Sequence, residues 1–384
     1  MKLNILKEQM LLLLNSVGSV VDKRGTMPIL SNIKICVENN KLTLVGSDLE
    51  VELIASITLD KENCIKEGET TLPARKLIDI FKSLPTNASV TIDLISSERC
   101  EISSKKSKFK LGALPATDYP LISEKHTPES EPLNIQLPQF EIKRIFEKTS
   151  FAMAVQDVRY YLTGTLLDYE DEILKAVATD GHRLAFCETS VKSNTQEQRS
   201  VIVPKKGVVE LQRLTHHVED EIQLNLSRDY LQMEIVHQGK DDLSSVHVKL
   251  TTKLIDGKFP DYRRVIPVSN HKQALISNVE FKQTLNRAAI LSNEKLRGLS
   301  LSFDADFLTI RAQNTEQDEA VDHMDIKYDG APLDIAFNGT YLIEALGCID
   351  SQEIILEMGE ETQSILVKNP VDPTYYYVVM PMRL

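Results

Sequence analysis

The stretch Val177–Ala185 reads V-A-T-D-G-H-R-L-A and predicts a β-hairpin. Apolar residues run into Asp180-Gly181, and the chain then returns to apolar Leu184 and Ala185. Asp-Gly between short apolar runs is a strong hairpin signal, because glycine accepts a positive φ without a Cβ clash. The sequence therefore predicts a strand, a tight turn and a second strand.

Weaker versions of this segment recur on either side of it at nearly equal distances. Asp48 follows K-L-T-L-V-G-S and lies 132 residues before Asp180, and Asn314 follows F-L-T-I-R-A-Q and lies 134 residues after it. A helix-start signal follows each of the three segments after 24 or 25 residues. These signals are Pro73, Pro204 and Asn338. Because both features recur three times at nearly constant spacing, the sequence predicts a triplicated domain.

Each predicted repeat has two helices packed on antiparallel sheet, which is an α+β architecture. One helix is predicted to open each repeat, because apolar residues recur there at spacings of three and four. These helices are Lys7–Ser16, Glu141–Ser150 and Glu280–Leu291. The second helix begins at the proline, which suits a first helical turn, or at the asparagine, which suits an N-cap. These helices are Pro73–Ser83, Pro204–Leu214 and Asn338–Cys348. Short alternating runs predict the strands.

Two proline-rich stretches predict the connections between the repeats. Leu114–Pro132 and Lys258–His271 carry prolines among charged residues and are typical of extended connectors. We therefore predict domains at 1–128, 129–265 and 266–384, each large enough for its own core.

The composition predicts a soluble cytoplasmic protein. Apolar residues make up 42% of the chain and charged residues 26%, which is ordinary for a globular protein. No apolar run approaches the roughly 18 residues that a membrane helix needs. Lys7 and Glu8 interrupt the region where a signal peptide would keep its apolar core. The five cysteines are scattered without metal-ligand spacing, so we expect reduced thiols, no metal and no cofactor.

The distribution of charge is uneven. A net charge of −12 argues against nucleic acid as a partner, but the six predicted helices together carry a positive charge and the remaining segments are negative. Helices that share one face would attract phosphate without reading bases, with strong salt dependence. Alternatively, lysine and arginine simply favour helices.

Five motifs, in this order along the chain, resemble the bacterial DNA sliding clamps, the beta subunits of DNA polymerase III. They are Val158–Leu162, Thr179–Ala185, Phe259–Val265, Ile290–Lys295 and Val378–Leu384. The resemblance implies three similar domains per chain and two chains joined head to tail into a ring with helices lining the hole. It implies a non-catalytic processivity factor that encircles duplex DNA of any sequence and that works with a clamp loader, the replicative polymerase and other clamp-binding proteins.

The resemblance also implies a hydrophobic cleft for partner peptides between the second and third domains. Leucine, valine, methionine and proline would form the groove, and Arg183, Arg264 and Asn338 would hold the polar groups of the peptide. We expect the Met-Pro-Met near the terminus to be exposed. The positions that match the cleft are Leu162, Thr179, Gly181, His182, Arg183, Leu184, Pro260, Arg264, Val265, Asn338, Tyr341, Ser364, Val378, Met380, Pro381, Met382 and Arg383.

The same resemblance assigns two further surfaces. Arg24 and Gln156 match loop positions that touch DNA inside the ring, and the basic helix residues Lys143, Arg144, Lys205 and Lys206 are expected to support retention on DNA. Opposite charges flanking an apolar centre would form the head-to-tail contact. Its residues are Lys106, Lys108, Phe109 and Leu111 in domain one, and Ile290, Leu291, Glu316, Asp318 and Glu319 in domain three.

Two other functions compete with this interpretation. Asp180 and His182 could act as a general acid and base, although a hairpin tip next to a solvated histidine is more common. The acidic run 168–172, D-Y-E-D-E, could hold a metal ion, but it is more typical of a solvated turn. A scaffold with the same triplicated fold that does not encircle DNA is the second alternative.

Overall fold

A computed structural model describes residues 1–22, 27–122, 132–237 and 245–383 of the chain. Within these ranges the order of elements is the same three times: a strand, a helix, five strands, a helix and three strands. The triplication that the sequence predicts is confirmed. No helix in the described part of the chain is long and apolar enough to span a bilayer.

The helices and strands have the following bounds. The first repeat contains β1 (Lys2–Leu6), α1 (Lys7–Val17), β2 (Asn32–Glu38), β3 (Lys41–Ser47), β4 (Val51–Thr58), β5 (Cys64–Lys66), β6 (Gly68–Pro73), α2 (Ala74–Ser83), β7 (Ser89–Ser96), β8 (Arg99–Ser104) and β9 (Ser107–Gly112). The second contains β10 (Leu133–Pro138), α3 (Gln139–Thr149), β11 (Gly164–Glu170), β12 (Ile173–Thr179), β13 (Arg183–Ser190), β14 (Lys192–Ser193), β15 (Arg199–Pro204), α4 (Lys205–Leu214), β16 (Glu221–Leu226), β17 (Tyr230–His237) and β18 (Val246–Lys253). The third contains β19 (Lys272–Ser277), α5 (Asn278–Ala289), β20 (Gly298–Asp304), β21 (Phe307–Gln313), β22 (Glu319–Asp325), β23 (Lys327–Tyr328), β24 (Leu333–Asn338), α6 (Gly339–Gly347), β25 (Glu353–Met358), β26 (Ile365–Lys368) and β27 (Tyr375–Val379).

Every repeat contributes one set of five strands and one set of four, all paired antiparallel. The five-stranded orders are β5-β1-β7-β8-β9, β14-β10-β16-β17-β18 and β23-β19-β25-β26-β27. The four-stranded orders are β6-β2-β3-β4, β15-β11-β12-β13 and β24-β20-β21-β22. The α+β architecture is therefore confirmed.

Two of these sets continue into a neighbouring repeat. Strand β18 pairs with β4, where Leu250 lies opposite Leu53, and the result is one nine-stranded sheet. Strand β27 pairs with β13, where Val378 lies opposite Leu184, and the result is a second nine-stranded sheet. Both joints connect the last strand of a five-stranded set to the last strand of a four-stranded set.

The chain forms two compact units, each of which contains one of the nine-stranded sheets. The first unit comprises Met1–Pro138, Ser193–Thr195 and Val209–Leu254, and the second comprises Gln139–Lys192, Gln196–Val208 and Ile255–Leu384. Strand pairing across repeats holds each unit together. The predicted domain boundary at 128 lies outside the described residues.

The helices bury one apolar stripe each against the sheets. In α2 the buried residues are Ala74, Leu77 and Phe81, at spacings of three and four. Phe146 of α3 and Phe281 of α5 are also fully buried. Each such phenylalanine contributes roughly 1.5–3 kcal/mol of transfer free energy. All six helices begin and end within two residues of the predicted bounds.

Three details of the sequence-based fold prediction are wrong. A strand opens each repeat and precedes the predicted helix, because a run such as L-N-I-Q-L-P alternates over only six residues. Pro73 and Pro204 end strands β6 and β15 and precede the helices by one residue. At a strand end, the missing N–H breaks no central ladder bond. The connector Lys258–His271 is not simply extended, since it contains a 3-10 turn at Tyr262–Val265 and buries Phe259 and Tyr262.

Candidate functional site

The β12–β13 hairpin turn is held by the side chain at its first position. Asp180 Oδ1 accepts hydrogen bonds from the backbone N–H of His182 (2.9 Å) and of Arg183 (3.1 Å). Gly181 has a φ of +91°, and the ladder resumes with Thr179 opposite Leu184. The predicted hairpin is confirmed, and the Asp-Gly pair performs the roles that the sequence assigns to it.

A cavity of about 160 Å³ lies beside this turn, inside the second unit. It combines an apolar floor with a polar rim, as small binding sites do. The cavity is lined by Arg159, Leu162, Thr179, Gly181, Arg183, Leu184, Phe259, Pro260, Asp261, Tyr262, Val265, Val378 and Met380. Segments from four parts of the sequence therefore meet at one pocket, and most of the predicted apolar cleft residues are among them.

Arg183 is built into the wall of this cavity. Its side chain is buried, and its guanidinium donates to Asp180 Oδ2 (3.1 Å), to the Phe151 carbonyl (2.8 Å) and to the Glu344 carboxylate. It also lies 4.5 Å from the centre of the Tyr341 ring, a cation–π contact. These partners take three of the five N–H donors of Arg183, so its role toward a peptide stays a prediction.

The chain terminus forms one edge of the site. The Met380 N–H donates to the His182 carbonyl (3.0 Å), and the Met382 N–H donates to the Ala336 carbonyl of strand β24 (2.8 Å). Met380, Pro381 and Met382 are half-buried, so the predicted full exposure of Met-Pro-Met is wrong. The backbone bonds hold the thioethers beside the cavity.

Some of the predicted cleft residues lie outside the cavity. His182 stacks on Tyr341 with ring centres 6.3 Å apart, and Asn338 accepts a hydrogen bond from the Thr340 N–H (3.0 Å) as the N-cap of α6. Arg264 is largely exposed and pairs with Asp261 (3.0 Å). Outside the cavity are His182, Arg264, Asn338, Tyr341, Ser364, Pro381, Met382 and Arg383.

Four lining residues are absent from the sequence-based site. Arg159, Phe259, Asp261 and Tyr262 line the cavity. All four belong to the V-R-Y-Y-L and F-P-D-Y-R-R-V motifs, so the motifs themselves carried the signal. Burial of Phe259 and Tyr262 depends on packing between distant segments, which motif spacing does not show.

The polar rim is organised by ion pairs within single loops. Asp157 accepts two hydrogen bonds from the Arg159 guanidinium, of 3.1 and 2.7 Å, and these lower the pKa of Asp157 to about 2. Arg159 also donates to the Asp180 carbonyl (3.1 Å). The loop before strand β11 is thereby tied to the hairpin turn by a charge-assisted bond.

The residues behind the catalytic and metal alternatives, Asp180 and the acidic run 168–172, have structural roles of their own. The Asp180 carboxylate accepts hydrogen bonds from backbone N–H groups of its own turn and from the Arg183 guanidinium, whereas the His182 imidazole stacks on Tyr341. Asp168 lies in strand β11 and is buried, so the prediction that the whole acidic run 168–172 is a solvated turn is wrong. Only Asp171 and Glu172 form the turn. The described residues contain no cluster of three or more metal-ligating side chains.

The basic helix residues fall into two groups. Lys205 and Lys206 are exposed in the first turn of α4, and Lys143 is half-buried on α3. Arg144 instead donates to Glu141 (3.0 Å), Thr374 (2.9 Å) and the Glu188 carbonyl (3.0 Å). The guanidinium of Arg144 links α3 to two other segments, and its expected part in retention on DNA stays a prediction.

The remaining predicted residues lie on loops and at strand edges. Gln156 is exposed with a φ of +53°, and Arg24 lies outside the described residues. Lys106, Lys108, Phe109 and Leu111 lie on or beside β9, at one edge of the first five-stranded set. Glu316, Asp318 and Glu319 lie on or beside the edge strand β22, and Ile290 and Leu291 follow α5.

Comparisons with known proteins cover the whole chain. Models of the DNA polymerase III beta subunit match residues 1–123 (N-terminal domain), 136–261 (central domain) and 263–383 (C-terminal domain). The beta sliding clamps of Pseudomonas aeruginosa and Escherichia coli K12 are 40% and 38% identical to it over 384 residues, with 100% of each chain covered.

Solved structures agree with these matches. The crystal structure of the P. aeruginosa DNA polymerase III subunit beta has a TM-score of 0.93 at 39% identity, and a P. aeruginosa clamp bound to griselimycin has 0.91 at 38%. Both comparisons cover 100% of both chains. The chain therefore belongs to the family of DNA polymerase III beta subunits, the bacterial sliding clamps, which are processivity factors of replication and not catalytic enzymes.

Proposed function

We propose that two copies of this chain join head to tail into a ring around duplex DNA, with the division into domains at 1–128, 129–265 and 266–384. The single observation that carries this proposal is the repeated sheet joint. Strand β18 pairs with β4 and β27 pairs with β13, each time joining the same two positions of the repeat.

The third pair of equivalent strands supports a partner copy. Strands β9 and β22 hold the corresponding positions, and in the described residues each pairs on one side only, with β8 and β21 respectively. An unpaired strand edge presents N–H and C=O groups that another strand can use. In a dimer, β9 of each copy would pair with β22 of the other copy. Two such joints would close the ring.

The charges and apolar groups at these two edges are complementary. Lys105, Lys106, Lys108 and Lys110 surround β9, and Glu316, Asp318, Glu319, Asp322 and Asp325 surround β22. Ile290, which follows α5, is 77% exposed, and Phe109 of β9 is half-buried. A joint with an apolar centre between opposite charges associates specifically and can still be opened.

The DNA surface that we propose combines two predicted loop positions with basic helix residues. Its residues are Arg24, Gln156, Lys143, Arg144, Lys205 and Lys206. Lysines on helices neutralise phosphates without reading bases, so contacts should weaken steeply with salt. Weak contacts are sufficient for a closed ring, because the ring stays on DNA by encircling it and not by binding it tightly.

The cavity beside the β12–β13 hairpin is the proposed site for partner peptides. Its floor of Leu162, Leu184 and Val378 accepts an apolar side chain, and Met380 can adapt to different shapes. We propose that griselimycin binds here, as do the replicative polymerase and other clamp-binding proteins. A clamp loader would open the ring in the cytoplasm.

A topological experiment tests the ring. The protein is loaded onto nicked circular DNA with a bacterial clamp loader and ATP, washed in high salt, and the circle is then cut. Retention on the circle followed by release on linearisation is the expected result. Release by salt before cutting would contradict the ring and favour a scaffold that touches DNA only electrostatically.

A matched pair of variants tests the joint itself. Ile290→Asp places a charge on a side chain that is 77% exposed, so the chain should fold but sediment as a monomer. Val279→Asp changes a 63% exposed residue of α5 and should leave the dimer intact. Dimers in both variants would contradict the proposed contact.

A further inference from the structure

Asp168 is a buried carboxylate that accepts hydrogen bonds from three side chains. It lies in strand β11 and is 8% exposed. Ser200 Oγ donates to Oδ1 (2.5 Å), and Tyr262 Oη and Arg263 Nη2 both donate to Oδ2 (3.1 Å each). A buried charge is tolerated only where hydrogen bonds and an opposite charge compensate its desolvation.

Two of these donors belong to the wall of the cavity. Residues 259–265 supply Phe259, Pro260, Asp261, Tyr262 and Val265 to its lining. In the described part of the chain, every hydrogen bond that joins these residues to another segment ends on Asp168. The other bonds of the segment, between Arg264 and Asp261, are internal to it.

Arg263 Nη2 also lies 3.8 Å from Glu170 Oε2, a longer ion pair than the one with Asp168, and the other packing of this wall is apolar. Phe259 and Tyr262 pack into one cluster with Leu162, Leu184 and Val378. The Tyr262 ring lies 6.1 Å from that of Phe186 at a tilt of 39°. Apolar packing is non-directional, so it sets the depth of burial of the segment but not its position along the cleft. Directional bonds to one fixed carboxylate can set that position.

We propose that Asp168 is a positioning residue for the peptide cleft, which holds the 259–265 wall in place through Tyr262 and Arg263; this inference rests on the proposed function of the cleft. The Tyr262 bond contributes most to the positioning of this wall, because Tyr262 is buried. The Arg263 side chain is 57% exposed, so its ion pair is screened by water. Asp168 itself does not line the cavity.

Substitution of Asp168 should loosen the wall without filling the cavity. Asp168→Ala removes all three bonds. Asp168→Asn removes the charge but can keep all three partners, because its oxygen can accept from Tyr262 and Arg263 while its amide N–H₂ donates to the Ser200 hydroxyl. Tyr262→Phe removes only the phenol. The matched control is Asp171→Asn in the exposed turn, where asparagine tolerates the positive φ of 50°.

Isothermal titration of griselimycin into the dimeric protein measures the effect. We expect Asp168→Ala and Tyr262→Phe to weaken binding by about tenfold, because each removes the directional bond between Tyr262 and strand β11, and Asp171→Asn to match the wild type. The double variant Asp168→Ala/Tyr262→Phe should bind no more weakly than the weaker single variant, because both substitutions remove the same bond. Amide hydrogen exchange should accelerate in residues 259–265 and not in β13.

The possible failures are distinguishable. Wild-type protein that does not bind griselimycin would overturn the proposed cleft and this inference together. Binding of Asp168→Ala and Tyr262→Phe within twofold of the wild type would overturn this inference alone. Additive losses in the double variant, or faster exchange throughout the second unit, would mean general destabilisation and would also overturn it.

Discussion

The hairpin turns of the first and second repeats have the same backbone but different consequences. Asp48 Oδ1 accepts hydrogen bonds from the second and third following N–H groups, at 2.9 and 2.8 Å, as Asp180 does at 2.9 and 3.1 Å. The next residue is left-handed in both, Leu49 with a φ of +74° and Gly181 with +91°. One turn closes a corner of the core, and the other borders an open cavity.

The side chain at the left-handed position accounts for this difference. Leu49 is half-buried and packs on an apolar cluster. The buried members of that cluster are Ile29, Leu30, Val45 and Tyr119. Gly181 has no side chain, and the nearest atoms to a Cβ there would be the guanidinium nitrogens of Arg159. One repeat of the triplicated fold thus has a cavity beside the position where the side chain is omitted.

The two turns also differ at the residue two positions after the left-handed one. Val51 in the first repeat is fully buried and needs no polar partner. Arg183 in the second repeat is buried with Asp180, Glu344 and the Phe151 carbonyl around it. The polar network around Arg183 fixes the turn that borders the cavity. Apolar packing is sufficient for the turn of the first repeat.

Arg183→Val, which copies the first repeat, should have the largest effect. The substitution leaves the Asp180 carboxylate and the Phe151 carbonyl without their donor. Breaking a buried pair costs about 3–5 kcal/mol, and because the Glu344 side chain is 43% exposed we expect about 2–4 kcal/mol here. The melting temperature of the dimer should fall by several degrees, and griselimycin binding should weaken. An unchanged melting curve would contradict the network.

Gly181→Leu should convert the open corner into a filled one. Leucine would occupy much of the cavity of about 160 Å³, so we expect griselimycin to bind at least about 100-fold more weakly, a loss of roughly 2.7 kcal/mol. A left-handed leucine costs about 1–2 kcal/mol, which Leu49 shows the same turn can tolerate. Loading onto circular DNA should persist. Binding as tight as that of the wild type would place the ligand elsewhere.

Leu49→Ala is the reciprocal change. It removes part of a half-buried side chain, so we expect a loss of about 1–2 kcal/mol, below the 2–5 kcal/mol of a fully buried leucine. The loss should appear in thermal melting, while griselimycin affinity should stay at the wild-type value. A parallel loss of affinity would mean that the two corners are energetically coupled.

The sequence predicts local features of both corners well. Asp-Gly at 180–181 identifies the turn from two adjacent residues, and the 132-residue step identifies its counterpart at Asp48. The spacing of apolar residues predicts the ends of the helices to within one helical turn. These features depend on neighbours in sequence, so a single chain suffices to find them.

Long-range contacts account for what the sequence does not predict. Val378 lies opposite Leu184, and nothing local to either residue marks the pairing. Arg183 has the sequence appearance of a surface arginine, and its burial depends on Glu344 from another repeat. Asp168 lies in an acidic run, and only the fold brings Tyr262 to it. Motif resemblance identified most of the residues that line the cavity but not the contacts of these side chains.

Removing the two corner phenols should give the smallest effects and compare the corners most directly. Tyr119 Oη donates to the Asn32 carbonyl at 3.4 Å, a weak bond, whereas Tyr262 donates to a carboxylate at 3.1 Å. At pH 7 we expect Tyr119→Phe to cost about 0.5 kcal/mol and Tyr262→Phe about 1.5 kcal/mol, since bonds to charged groups are stronger. Burial raises the pKa of both tyrosines above the usual 10. Between pH 10 and pH 11 these phenols therefore ionise more readily in the unfolded chain than in the folded protein, which stabilises the unfolded chain. The stabilising contribution of each phenol is complete below pH 10 and declines above it. The difference in melting temperature between wild type and either variant should thus shrink from pH 9 to pH 11, and a difference that grows over this range would contradict the burial of the phenols.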